Sequence, residues 1–342
     1  MIECIFTIDY EIYGNGEGSL RELVLEPAQK LKAVFQKHNA RFVVFVEAAE
    51  LEIIESKRSD EAIEAVKQQI RAFHRDGFEV GLHIHPQWYN ASYRNGGWLL
   101  DYSEYNLCSL PRERIVEIIE RSIRYLRRIL GINDFLPLSF RAGNWLFQPT
   151  QPAASVLAEQ GIKIDSSVFK GGIRHQHGLN YRPARQNGYF WPFSNDVNTA
   201  DPQGTLIEFP TYTKMVPSWE MFSFNRIGLE TKSAAKSARP TDKIYRILDY
   251  LRLCHPMKLD FCRLTIKELV GMFEKELEKD RKNRGLFRPI VAIGHTKELV
   301  NLETVDLFLT YLENSRVAIT TFDDWLGKVH LSSMKARAKE EV

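Results

Sequence analysis

Short apolar runs rich in valine, isoleucine and phenylalanine alternate with amphipathic segments along nearly the whole chain, from IECIFTID at the start to VAITTF near the end. Runs of this length read as strands buried on both faces. The segments between them, with apolar residues three and four apart, read as helices that cover those strands. The first unit is the strand IECIFTID, the helix within EPAQKLKAVFQKHNA and the strand ARFVVFVE. A helix over about 60–75, the strand EVGLHIH, a helix over about 111–130, the strand LSFRAG, a helix over about 151–160 and the strand KIDSSVF follow. After a loop-rich middle come LIEFP, a helical stretch through KIYRILDYLRLC, a helix over about 265–279, the strand IVAIGH, a helix over about 300–312 and VAITTF. Strands joined through helices run parallel. Seven or eight such steps predict an α/β barrel, one domain over 1–330 followed by a polar tail over 331–342.

The length of 342 residues suits one large barrel, and 46 basic against 44 acidic residues leave a net charge of only +2. Nucleic acid is therefore not expected as a partner, nor is an anionic membrane surface. The first residues lack a secretory signal pattern, and no apolar run is long enough for a transmembrane segment, so a soluble cytoplasmic protein is expected. Cys4, Cys108, Cys254 and Cys262 form no C-x-x-C pair, which excludes a zinc ribbon or a thioredoxin-type site and predicts reduced core cysteines. Residues 89–108 and 171–205 read as rim loops, and 233–242 as a small polar insertion.

The polar residues of interest fall at strand ends. In extended backbone His83 and His85 point to one side, about 7 Å apart along the chain, and Asp9 and Glu11 repeat the same spacing. Arg141, Asp165 and His295 end further strands. Barrel active sites assemble at that end, and a carboxylate with histidines suits zinc or a similar divalent ion. Taken alone, H-x-H fits hydrogen-bonded strand histidines equally well.

Five segments, FTIDYE, GFEVGLHIHPQW, SFRAGNW, GIKIDSSV and IVAIGHTK, resemble in order and spacing the motifs of the polysaccharide deacetylases, the NodB-homology carbohydrate esterases. The wording LHIHP with FRAGNW and GHTK is similar to a subgroup associated with lipopolysaccharide and surface-glycan genes. The resemblance implies a distorted β/α barrel that removes acetyl groups from sugars. It also implies Asp9 as general base, Glu11 and His83 as metal ligands, and His295 as general acid. The family's second histidine stands four residues after the first, where this chain has Gln87, so His85 is expected to replace it. Glu11 stands where many members carry aspartate.

Arg141 is expected to hold Asp9 ionised. Asp165 is expected to orient His295 or Arg141, or else to cap a turn. Trp88, Trp145 and Asn144 are candidate substrate contacts, with Trp98 and Trp191 as further aromatic platforms. His175 and His177 read as solvent-facing. TTFDDWL, with Asp323 and Asp324, imitates the first motif but has no further motifs after it. The expected function is metal-dependent hydrolysis of an acetyl group, N-linked above all, from a sugar or surface-glycan precursor. An amidohydrolase-type barrel acting on a small or cyclic amide is one alternative. A catalytically inactive glycan-binding barrel, motivated by Gln87, is another.

Overall fold

The computed structural model describes residues 2–185, 189–221, 253–282 and 287–328. The strands of its main sheet are β1 (Ile2–Tyr10), β2 (Val43–Glu47), β3 (Glu79–Ile84), β4 (Ser139–Ala142), β5 (Ile164–Asp165), β6 (Trp191–Phe193), β7 (Leu206–Glu208), β8 (Arg288–His295) and β9 (Ala318–Thr320). Their order is β6-β7-β5-β4-β3-β2-β1-β8, with β9 pairing beside the amino half of β1. Every pairing is parallel except β6 with β7. The sheet curls, and single parallel bridges from Phe169 to Thr211 and from Thr211 to Val291 close it against the free edge of β8. This is the barrel that the alternating pattern predicts, in the distorted form that the resemblance implies.

Period-two alternation sorts each strand's side chains. Ile5, Val43, Phe45, Ile164 and Val291 form an inner apolar cluster, plugged by Phe322 and Trp325 after β9. Two and four residues beyond Ile5 on the same face stand Thr7 and Asp9, so the inward stripe changes from apolar to polar toward the carboxyl ends. Register then gathers the polar groups. Asp9 lies level with His295 on β8, and His83 lies level with Glu47 on β2 and Arg141 on β4.

The covering helices include Glu26–Lys37, Ile63–Arg75, Arg112–Leu130, Gln151–Glu159, Ile266–Lys282 and Leu302–Asn314, close to the predicted spans. One further helix, Ala48–Lys57, is illegible as an amphipathic pattern because Ala48 to Leu51, Ile53 and Ile54 are all buried, which leaves no polar stripe. Strand β5 is only two residues long where KIDSSVF predicts more. The hydroxyls of Ser166 and Ser167 bond instead to Phe209 O at 2.8 Å and Asp165 Oδ1 at 2.6 Å, and replace the ladder.

Both rim loops carry structure. The first holds the hairpin Ser92–Arg94 with Gly97–Leu99, and the second holds the hairpin Ile173–Arg174 with Leu179–Asn180 as well as β6. Most of KIYRILDYLRLC, the 233–242 insertion and the tail lie outside the described residues, and Cys254 opens a strand, Cys254–Lys258, paired with Thr213–Pro217. No helix among the described residues is long and apolar enough to cross a membrane.

Candidate active site

Arg141 is fully buried, and every nitrogen of its guanidinium has a partner. Nη1 donates to Asp9 Oδ1 at 2.7 Å, Nη2 to Thr7 Oγ1 at 2.9 Å and Ser166 Oγ at 3.2 Å, and Nε to Ser166 O at 2.9 Å. The other Asp9 oxygen lies 3.3 Å from His295 Nε2. Burial alone would raise the Asp9 pKa, but Arg141, with His83 and His295, holds it well below the usual carboxylate range.

On the other ring nitrogen of His295, Nδ1 lies 3.3 Å from Glu298 Oε2 and 4.0 Å from Asp260 Oδ2. Burial works against a charged imidazole there, yet Glu298, Asp9 and Asp260 together carry its pKa above the ordinary value. Asp260 is itself pushed up to about 6, mainly by burial. Neither Asp260 nor Glu298 is singled out by the sequence reading. Glu298 sits only three residues after His295, and Asp260 arrives on the segment that bridges β8 at Ile293.

Beside this group Glu11 Oε2 lies 2.9 Å from His85 Nε2 and 3.5 Å from His83 Nε2. His83 Nδ1 donates to Arg141 O at 2.8 Å, which fixes the tautomer and leaves Nε2 with a lone pair facing Glu11. His85 Nδ1 meets the side-chain amides of Asn144 at 3.2 Å and Gln87 at 3.3 Å. Gln87 Oε1 is buried without a partner, and turning both amides over lets His85 donate from Nδ1 and frees Nε2 as well. Two neutral imidazole nitrogens and one carboxylate oxygen fit a divalent cation. Gln87 stands behind His85 rather than among the donors.

Three residues that the sequence reading passes over support this cluster. Lys297 Nζ donates to Glu11 Oε1 at 2.7 Å and to Ile12 O at 2.8 Å. Burial opposes ionisation of Glu11, but Lys297 and the two histidines hold its carboxyl well below the usual range. Glu47, at the carboxyl end of β2, accepts from the backbone amide of His85 at 2.6 Å, and Glu50 accepts from that of Ile12 at 2.9 Å. Both acids are fully buried, and burial pushes both well above the usual carboxylate range. The strand-end rule that picks out Asp9 applies equally to Glu47. Gly143 completes the wall: a Cβ there would lie 2.4 Å from Ile84 O and 2.8 Å from His85 Cγ, so the close approach behind His85 requires glycine.

Other predicted contacts are placed differently. Asp165 orients neither His295 nor Arg141: it binds Ser167 and stands level with Glu208, and burial raises the pKa of both acids. The Ser167 hydroxyl and the neighbouring Glu208 carboxyl, which engage Asp165 locally, explain the departure. Trp88 is fully buried with its ring centroid 5.0 Å from that of Trp98, and Trp191 is a core residue donating to Val197 O at 2.8 Å, so neither is a sugar platform. Asn144 adopts a left-handed φ of 55° that turns its amide toward His85. Trp145 stays at the site, with the Arg141 guanidinium 5.3 Å from its ring. His175 is exposed as expected, but His177 packs against Tyr105 at 4.9 Å. Asp323 and Asp324 stand at the start of the helix after β9, away from the cluster.

No family model matches the chain, and no curated protein matches it. Among solved structures it is similar to a protein described as a polysaccharide deacetylase from Mycobacterium smegmatis, with a TM-score of 0.52 at 15% identity over 97% of this chain and 91% of that one. A GH57-type branching enzyme from Pyrococcus horikoshii gives a TM-score of 0.54 at 12% identity, over 95% of this chain and 70% of that one. A GH57 branching enzyme from Thermococcus kodakaraensis gives 0.52 at 12% identity over the same shares. At such identities the likeness is one of fold: the chain has the distorted β/α barrel of the polysaccharide deacetylases, as its five motifs imply.

Proposed function

We propose that this protein is a metal-dependent deacetylase that hydrolyses an acetyl group, N-linked above all, from a sugar or surface-glycan precursor. The observation that carries the reading is the position of Asp9, clamped by Arg141 on one oxygen and facing His295 on the other, beside the Glu11–His83–His85 donor set. Glu11, His83 and His85 would hold a divalent ion, zinc by the character of the donors, and such an ion would supply Lewis-acid polarisation of the acetyl carbonyl and a water of lowered pKa.

Asp9, ionised and fixed in direction by Arg141, accepts the proton of the attacking water. His295, whose charged form Glu298, Asp9 and Asp260 favour, donates a proton to the leaving amine. Glu47 and Glu50 hold the backbone beside the donors, which keeps the pieces within the small tolerance that hydrolysis allows.

A second reading, a barrel that binds glycan without hydrolysing it, is favoured by one observation: Lys297 already supplies a positive charge to Glu11. Acetate release from N-acetylated sugars, measured with added zinc for wild type and Asp9→Asn, separates the two. Release by wild type that falls at least a hundredfold in the variant supports hydrolysis, and no release from any acetylated sugar supports the binding reading.

A further inference from the structure

Lys258 ends the Cys254–Lys258 strand at the mouth of the cluster. Its ammonium lies 3.8 Å from the Trp145 ring centroid and 4.4 Å from that of Phe169. Trp145 is also the ring beside Arg141, so this lysine stands next to the reacting groups. No carboxylate forms an ion pair with Lys258 among the described residues. Cation–π contact holds it in place, while the carboxylates of Asp260, Asp9 and Glu298 act on it from beyond ion-pair distance.

A second cation arrives from the neighbouring rim loop. Arg174 is exposed on the hairpin Ile173–Arg174 with Leu179–Asn180 and likewise has no ion-pair partner among the described residues. The root of that hairpin is fastened to the lysine's ladder. Thr213, the residue paired with Lys258, donates from its hydroxyl to Lys170 O at 3.0 Å. Gly171, at φ +87°, packs so closely that a Cβ would lie 2.7 Å from Met215 Sδ and 3.5 Å from Pro256 Cβ. Hairpin and strand therefore present their cations to the same rim. Burial and then the like charge of Arg174 pull the Lys258 ammonium down to about 7, against the opposing pull of Asp260, Asp9 and Glu298. Two cations brought to one rim beside a binding site, neither in a direct ion pair among the described residues, are the usual counterpart of an anionic ligand group.

We infer that Lys258 and Arg174 form an anion subsite beside the reacting centre, and that the sugar substrate carries a phosphate or a carboxylate within about one ring of its acetyl group. The inference rests on the deacetylase reading for the nature of the sugar, but the subsite itself is tested by binding alone. Lys258 is the point charge behind the aromatic pair, and Arg174 supplies the planar fork that grips two oxygens.

Isothermal titration of the full chain with inorganic phosphate, D-glucuronate and neutral D-glucose tests it. Wild type is expected to bind at least one of the two anions. Arg174→Ala, at an exposed position, and Lys258→Met are each expected to weaken that binding at least tenfold, with Lys258→Arg restoring most of it and glucose unaffected throughout. Binding of phosphate alone points to a phosphorylated sugar, and binding of glucuronate alone to an acidic sugar. Absence of anion binding in wild type, or binding unchanged in both Arg174→Ala and Lys258→Met, overturns the subsite. Loss of anion binding in the variants supports it even if no acetylated sugar releases acetate, so this result and that of the hydrolysis assay are independent.

Discussion

The Lys297 ammonium lies 2.7 Å from Glu11 Oε1, the carboxylate oxygen that His83 and His85 leave free. One acid thus serves a lysine with one oxygen and two imidazoles with the other. The division fixes Glu11 as a one-oxygen donor, because its second oxygen is spoken for.

Removing that lysine should matter most when no metal is present. In Lys297→Met the Glu11 carboxylate is buried near Glu47 and Glu50 without its cation, and breaking a buried pair this way typically costs about 3–5 kcal/mol. Thermal unfolding in chelator should show that loss, and saturating zinc should recover part of it by supplying positive charge. Equal melting temperatures for variant and wild type in chelator would contradict the arrangement.

Glu47 is predicted to act through the backbone of His85. Replacing it with alanine removes the acceptor of the 2.6 Å bond, and losses of this kind behind a ligand typically weaken metal binding about 10–100-fold. Glu47→Gln retains an acceptor of the same length and should lose much less. Zinc dissociation constants for the two variants check the difference.

Arg141→Ala should act on Asp9 in both stability and rate. The Asp9 pKa is depressed in the folded protein, so the pair stabilises the fold above the ordinary carboxylate range, and that contribution is lost as pH falls through the depressed value. In the variant the buried carboxylate loses its guanidinium and keeps only His295 beside it. Its pKa rises, stability near neutral pH drops by about 3–5 kcal/mol, and the acidic limb of kcat/KM moves to higher pH. An unmoved acidic limb would confine Arg141 to a structural role.

His295 sets the opposite limb. Its pKa is raised above its unfolded value of about 6.5, so the proton needed for donation is present below that value and is lost as pH rises through the higher folded pKa. Glu298→Gln removes the acid facing Nδ1 and should shift the alkaline fall of kcat/KM to lower pH. A profile that keeps its alkaline limb would reassign the donor.

What the sequence discloses and what it hides follow from distance along the chain. Period two along single strands places Asp9 with Glu11 and His83 with His85, and the apolar runs delimit the strands that bring them level with Arg141 and His295. Lys258 and Asp260 reach the site through single bridges and a short ladder rather than a long strand, so no local pattern announces them. The helix Ala48–Lys57 is buried nearly all round and loses its periodic signature, which also conceals Glu50. Trp88 fails as a platform because an aromatic beside a motif is equally suited to the core that supports the motif.

The central claim is that Glu11, His83 and His85 hold a divalent ion beside Asp9. Its most direct test is bound zinc per chain, measured by atomic absorption after dialysis, for wild type and His85→Ala. The account predicts about one equivalent in wild type and close to none in His85→Ala, since a site with three protein ligands tolerates the loss of one poorly. A wild-type protein that retains no divalent metal, or a His85→Ala variant that retains as much as wild type, would contradict it.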